Sequence, residues 1–422
     1  MNFKIDMPNE VKKALNILCD NGFEAYIAGG CVRDSIIGTV PSDWDITTSA
    51  LPEEIKSSFK GFRIIETGLK HGTVTVIINN MQLEITTYRI DGEYRDNRRP
   101  ESVLFTDKIS LDLERRDFTI NAMAYNGNGL IDLNDGIKDI NLKQIKCVGL
   151  PDKRFNEDGL RILRAMRFAS TLNFMIEENT SKSIHKNKNL LRNISVERIV
   201  IEFNKLLTGE NFTSVMIEYK DVISVFIPEI NEIDIKTWQY TLKLMTNVSN
   251  DLVLRLTMLF IQIEKLNTSV PYILKRLKYD KSTIKTVEIL MTNYNKNIHP
   301  TYVNVKRWLN KLGKENLIYL LKIKIGAMKS LNIDDEAELN KIYETENIMV
   351  DIIEQNQCYS LNNMNITGKD LIEIGVREGK EIGLILNVLL NKVIDEEIEN
   401  NKKILIEYAK DIINNLKVSI DK

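Results

Sequence analysis

AGGCVRDSIIGTVPSDWDI, residues 28–46, is the stretch whose reading decides the fold. Gly29-Gly30 stand between a strand-like run over 24–28 and a helix over 32–37, where backbone without side chains lets a ligand come close. The N–H groups that open such a helix face outward and suit an anion such as a triphosphate. Arg33, in the first turn, adds a planar charged fork that matches phosphate oxygens. Residues 43–48 then read as extended backbone, which turns Asp43 and Asp45 to one face. Two hard carboxylates beside a phosphate cradle are what magnesium ions (Mg2+) require. In a two-metal site one ion activates the attacking hydroxyl and the other holds the leaving oxygens. An isolated Asp-x-Asp is commonly a solvent-facing pair, but its order and spacing after Gly-Gly and Val-Arg-Asp favour the metal reading.

The flanking sequence extends this picture. TVTVIINNMQLEITTYR, residues 73–89, reads as two alternating strands joined at Asn79-Asn80. Glu84 lies on the second of them and supplies a third carboxylate if that strand neighbours the one carrying Asp45. DGEYRDNRRPE, residues 91–101, is polar and turn-rich and reads as a mobile loop. With a helix over 8–19, the first 150 residues form an α/β module. After Pro151 the spacing becomes helical, with breaks near 187–189, 208–211, 297–300 and 355–363. A small α/β head followed by a long helical arm suits a catalytic module joined to a platform for an extended substrate.

Two further clusters carry charge. LERRDFTINAMAY, residues 113–125, is either a capped core helix with surface arginines or a place where Arg115 and Arg116 neutralise phosphate and position a ribose. The residues alone leave both readings open. In RFNEDGLRILRAMRF, residues 154–168, Asp158 and Arg161 are three apart on a predicted helix and share a face. Such a pair is usually a surface ion pair. It also has the chemistry to read a base edge. Cytosine and adenine both offer an exocyclic amine beside a ring-nitrogen acceptor, which a carboxylate and a guanidinium match. Uracil and guanine put a carbonyl where the amine would be. Arg164 and Arg167 continue the row and could hold phosphates or orient the pair.

Bulk properties set the boundaries. The 422 residues allow several cores, and a composition with 43% hydrophobic and 27% charged residues is that of an ordinary soluble protein. No run approaches the roughly 18 apolar residues a membrane helix needs, and the first residues lack a signal-peptide pattern. Four scattered cysteines and three histidines argue against a zinc site or a disulfide framework and fit a reducing cytoplasm. The formal net charge of −2 does not advertise nucleic-acid binding. Between residues 152 and 205, however, eleven Lys/Arg stand against seven Asp/Glu.

Taken together, GGCVRD, DWDI, TGLKHGTVTV, LEITTYR, RRDFTINAMA, EDGLRILRAMRF and SVERIVIEF resemble the class II tRNA nucleotidyltransferases, the CCA-adding enzymes of the DNA polymerase beta superfamily. The match covers about the first 210 residues and returns in ITGKDLIEIGVREGKEIGLILNVLLNKVI, as in the Bacillus-type members. The resemblance implies a polymerase-beta-like α/β head (1–150) and an all-α neck (151–210) that carries the base template, body (211–340) and tail (341–422), with the body and tail holding tRNA. It implies Mg2+ on Asp43 and Asp45. Gly30, Arg33 and Arg115 would contact the incoming CTP or ATP, with Asp158 and Arg161 on its base and Arg164 and Arg167 in support. Ser195, Glu197 and Arg198 match a motif expected to brace the neck helices, and His71 is expected to be structural. No His/Asp phosphohydrolase cluster follows, and the loop at 91–101 has the full length that CC-adding specialists lack. Rival readings are an A-adding enzyme or poly(A) polymerase, an inactive RNA-binding relative, and a synthetase acting on small molecules. The intact Asp43 and Asp45 argue against an inactive relative, and the long arm against a small substrate.

Overall fold

The computed structural model describes residues 4–66, 68–92, 102–264, 269–330 and 336–420. The chain divides into two compact units, Met1–Asp234 and Ile235–Lys422.

The first unit is organised by a seven-stranded mixed sheet, in the order β3-β4-β5-β2-β1-β8-β9. Its strands are β1 (Ala25–Ala28), β2 (Asp45–Thr48), β3 (Arg63–Ile65), β4 (Thr73–Ile78), β5 (Met81–Thr87), β8 (Met123–Tyr125) and β9 (Leu130–Asp132). Between β5 and β8, β6 (Arg89–Asp91) and β7 (Val103–Phe105) pair as a separate ribbon. The hairpin expected at 73–89 is present. Val74, Val76 and Ile78 alternate inward on β4, and Asn79 and Asn80 turn the chain at φ 47° and 69°. Two successive positive φ values are what a two-residue hairpin turn needs, and asparagine tolerates them best after glycine. β5 then runs parallel to β2, with Asp45 opposite Glu84.

Helix α1 (Asn9–Asp20) buries Val11, Ala14, Leu15 and Leu18, an i, i+3, i+4, i+7 stripe. α2 (Gly30–Ile37) packs on β1 and β8, and α3 (Pro52–Ser58) on β4 and β5. α4 (Ile109–Glu114) and α5 (Gly136–Asn141) complete the α/β portion.

The helices that follow are α6 (Pro151–Glu157), α7 (Leu160–Leu172), α8 (Glu178–Asn187), α9 (Val196–Leu207), α10 (Phe212–Glu218) and α11 (Lys220–Ile223). α7 and α9 pack against each other along their length. Ile199, Val200, Phe203, Leu206 and Leu207 give α9 its apolar stripe. A Cβ on Gly209 would fall inside the contact distance of Ser170, so only glycine lets the end of α9 close onto α7. The Ser170 hydroxyl donates to the Leu206 carbonyl at 2.6 Å across this seam. Residues 211–234, which the sequence reading groups with the body, pack in this first unit. α10 rests on α7, and the Tyr219 hydroxyl donates to Ser181 on α8 at 2.8 Å.

The second unit is helical throughout its described residues. Its C-terminal portion has its own apolar cluster, which includes Leu371, Ile385, Leu389, Leu405 and Ala409. Thr367 opens Gly368–Glu373 with a reciprocal cap, Thr367 and Asp370 exchanging side chain-to-backbone bonds. No helix among the described residues is long and apolar enough to cross a membrane.

Candidate active site

The site begins where β1 ends. Gly29 takes φ 84° and ψ −126°, a conformation open to glycine, and a Cβ there would stand 2.8 Å from Arg116 Nη1. The N–H of Gly29 donates to the Met123 carbonyl, tying the turn to β8. α2 starts at once with Gly30, and Arg33 sits in its first turn as the sequence predicts. The Arg33 guanidinium is buried and already engaged. It donates to Asp34 Oδ1 at 2.8 Å and to Asn121 Oδ1 at 2.6 Å.

Asp43 and Asp45 flank the buried Trp44 and are themselves exposed, the one-face arrangement that the spacing implies. Glu84 is the in-register neighbour of Asp45 on β5, so its side chain emerges on the same face of the sheet, one strand spacing away. The Asp45 carboxyl opens to solvent, but the protein around it strips part of its hydration and pushes it above its ordinary range; Glu84 and Asp43 add to this, while Arg116 opposes it. Acidic groups that repel one another over a partly desolvated floor are a setting a divalent cation relieves. Among the described residues no three His, Cys, Asp or Glu side chains gather closely enough to encage an ion by themselves. Two carboxylates on one face fit a divalent cation whose other positions are filled by water and phosphate oxygens. Glu84 stands beside the aspartate pair without closing a cage.

These groups open into a cleft of about 490 Å³. It is lined by Gly30, Arg33, Asp43, Asp45, Arg115, Asp158, Arg161, Arg164 and Arg167, which are all the sequence-predicted site residues except Glu84. With Arg116 and Lys205 the lining carries seven cations against five aspartates. An excess of two positive charges thus sits in a chain of net charge −2, a local field for a polyanion.

One expectation changes. Asp158 and Arg161 do not share one helix. α6 ends at Glu157, Asp158 is extended at φ −138° and ψ 106°, and α7 begins at Leu160. The cause is local: aspartate favours caps over helix interiors, glycine weakens a helix, and Gly159 lies against the Leu190 backbone where a side chain would crowd it. Asp158 Oδ1 instead accepts from the Leu160 N–H at 3.0 Å, and Oδ2 accepts from Arg198 Nη2 at 2.9 Å. Arg161 donates to Glu157 Oε2 at 2.6 Å and to the Arg115 carbonyl at 3.1 Å. Both side chains still line the cleft, each with its own supports.

Both members of the arginine pair line the cleft, each with its own contacts. Arg115 is clamped by Asp112, with Nη2 at 2.6 Å, and lies 3.8 Å from Asp91 of β6. Arg116 is the one set against Gly29, with Asp112 Oδ2 3.2 Å away. Residues 93–101 of the expected mobile loop lie outside the described residues.

Several acids that fix the cleft escaped the sequence reading. Asp117 is buried and accepts from Asn121 at 3.1 Å and from Arg164 at 2.8 Å. Burial works against its charge, but Arg164, Arg161 and the Asn121 amide outweigh it and hold the carboxyl below the usual carboxylate range. Glu202 accepts from Arg167 Nε at 2.5 Å. The signal was present for Asp117, which sits inside Arg-Arg-Asp. Glu202 lies in SVERIVIEF, and only the fold shows that it faces Arg167.

A mixed sheet with acidic strand ends, a Gly-Gly turn into a helix and a cationic cleft define a nucleotide-transferring head carried on helices. The family model described as the poly A polymerase head domain matches residues 25–146. Models described as tRNA nucleotidyltransferase domain 2 and "Probable RNA and SrmB-binding site of polymerase A" match 253–409 and 173–233. The CCA-adding enzyme of Ligilactobacillus salivarius (strain UCC118) is 37% identical across 97% of this chain and 98% of its own length. That of Pediococcus pentosaceus (strain ATCC 25745 / CCUG 21536 / LMG 10740 / 183-1w) is 36% identical across 95% and 98%. The crystal structure of the Bacillus stearothermophilus CCA-adding enzyme in complex with CTP superposes with a TM-score of 0.74 at 26% identity, over 98% of this chain and all of that one. The chain belongs to the CCA-adding enzyme family.

Proposed function

We propose that this protein is a CCA tRNA nucleotidyltransferase, which adds C, C and A to the tRNA 3′ end from CTP and ATP without a nucleic-acid template. The observation that carries the reading is one cleft that joins the Gly-Gly turn, the Asp43/Asp45 pair and the Asp158–Arg161 segment. The terminal ribose hydroxyl of the RNA attacks the α-phosphate of the bound nucleotide. A new P–O bond forms, the bond to the β-phosphate bridge breaks, pyrophosphate leaves, and the hydroxyl proton passes to solvent.

Asp43 and Asp45 are the groups that would hold magnesium, with Glu84 beside them. When bound, the metal supplies Lewis-acid charge at the transferring phosphate. Gly30 and Arg33 hold the triphosphate at the opening of α2. Arg115 and Arg116 bring positive charge to the other wall, held there by Asp112. Asp158 accepts from the exocyclic amine of cytosine or adenine and Arg161 donates to the ring nitrogen, with Arg164 and Arg167 behind them. We read the helices beyond the head as the tRNA platform, and the cytoplasm as the compartment, a reading supported by four free cysteines.

Primer extension tests the reading directly. Transcripts ending before, within and after CCA are incubated with CTP alone, ATP alone or both. Addition of C, C and A that stops there is expected, and the Asp45→Ala variant is expected to add neither base while remaining folded. A-only products or long A tails would replace the reading with an A-adding enzyme or a poly(A) polymerase.

A further inference from the structure

Phe168 stands at the centre of the cleft's arginines. It closes the 154–168 segment, is buried on α7 and lines the cleft wall. Three guanidinium carbons lie over its ring, that of Arg167 at 3.7 Å from the centroid, Arg33 at 4.9 Å and Arg164 at 5.5 Å. Arg33 comes from α2 in the head, and the other two come from α7. Phe118 meets the same ring edge to face, with centroids 5.8 Å apart, and so fixes its tilt.

Three like charges around one side chain repel one another, and each is further held by acids: Asp34 for Arg33, Asp117 and, at 3.9 Å, Glu202 for Arg164, and Glu202 for Arg167. The negative face of an aromatic ring attracts guanidinium groups without removing their charge, and the attraction strengthens where water is excluded. An acid in the same place would neutralise the field that a triphosphate needs. An aliphatic side chain would fill the volume but leave the cations to spread apart.

We infer that Phe168 is a positioning residue for the nucleotide. Its π face registers the phosphate-side Arg33 against the base-side Arg164 and Arg167, so that both ends of one NTP are met at once. The inference rests on the proposed nucleotide transfer and adds to it a residue that acts through the arginines it holds.

Fluorinated phenylalanines placed at position 168 provide the test. Successive fluorines drain the ring face of negative potential and scarcely change its shape. Along that series KM for CTP and KM for ATP are expected to rise together and stepwise, reaching about tenfold, or about 1.4 kcal/mol, at full fluorination. KM for tRNA, the melting temperature and the CTP-to-UTP preference are expected to stay level. Phe168→Leu should match the fully fluorinated protein in nucleotide KM. A flat KM across the fluorinated series, with only Phe168→Leu impaired, would reduce Phe168 to a packing residue and overturn the inference. Equilibrium binding of CTP is measured in parallel on the same proteins. If the unmodified enzyme extended no tRNA, the functional reading would fail, while the binding series would still decide the role of Phe168.

Discussion

Replacing Asp158 by alanine tests base reading by protein, and the structure fixes what the change removes. The carboxylate has two anchors, the Leu160 N–H at 3.0 Å and Arg198 Nη2 at 2.9 Å, and it lines the cleft beside Arg161. In Asp158→Ala the acceptor for the exocyclic amine of cytosine disappears. The repulsion against the uracil carbonyl disappears with it, so CTP loses while UTP gains. Base-edge discrimination of this kind is worth about 1–3 kcal/mol, so the preference for CTP over UTP should shrink roughly 5- to 150-fold. Stability should fall as well, by about 1.5–3 kcal/mol, because the bond to Arg198 is charge-assisted and its two side chains are only 17% and 28% exposed. Arg198→Ala separates the two effects. It leaves the carboxylate in place with one anchor, so it should carry a similar stability loss and a smaller loss of selectivity. The assay competes CTP against UTP on one tRNA that ends at the discriminator base and reads the ratio incorporated. An unchanged ratio in Asp158→Ala would refute the reasoning and place specificity elsewhere in the complex.

Asp117→Asn keeps the shape of a buried node and removes its charge, leaving Arg164 with Glu202 at 3.9 Å as its other acid. Breaking a buried pair costs about 3–5 kcal/mol, and the partial exposure of Arg164 puts the expected loss at the lower end. Because the folded-state carboxyl is held below its ordinary value of 3.8, the wild-type advantage is complete above that value. It should close only as pH falls through the depressed folded value; paired thermal melts showing a gap that closes near neutrality would contradict the assignment. Gly29→Ala combines a backbone strained at φ 84° with a Cβ placed 2.8 Å from Arg116 Nη1. The expected cost is about 1–3 kcal/mol together with a displaced Arg116, seen as a raised nucleotide KM; a variant with wild-type melting and KM would show that the turn yields freely.

The sheet was legible because its signals are local. Alternation along 73–78, the Asn79-Asn80 turn and the Gly-Gly break each depend on a few adjacent residues, and each is present as expected. The place of Glu84 hung on a condition, that its strand lie next to that of Asp45, and β5 does lie there in register. The segment around Asp158 misled because three-residue spacing was read as helical across Asp158-Gly159. Those two residues favour a break, and the close approach of Leu190 consolidates it. The partners opposite the arginines were hidden for a different reason. Arg164 meets Asp117 across 47 positions, Arg167 meets Glu202 across 35, and Arg33 meets Asn121 across 88. A local window does not say which of these groups meet, because tertiary packing brings them together: α7 against α9 for Arg167 and Glu202, α7 against the segment after α4 for Arg164 and Asp117, and α2 against the 119–121 turn for Arg33 and Asn121.

That packing gives SVERIVIEF more weight than a brace. Arg198 and Glu202 are four apart on α9 and so share one face of it. From that face Arg198 reaches Asp158 and Glu202 reaches Arg167, the first holding an acceptor and the second a donor of the cleft's far wall. The helix break at Asp158 is what makes this arrangement possible. Within a continuous helix the Asp158 side chain would lean toward the preceding turn, and its backbone could not offer the carboxylate to the Leu160 N–H. Released from the helix, the carboxylate caps α7 with one oxygen and meets Arg198 with the other. The Asp158 carboxylate is thus fixed from behind by groups that are themselves buried or half-buried, and the proposed base reading would rest on α9 as well as on the residues that face the cleft.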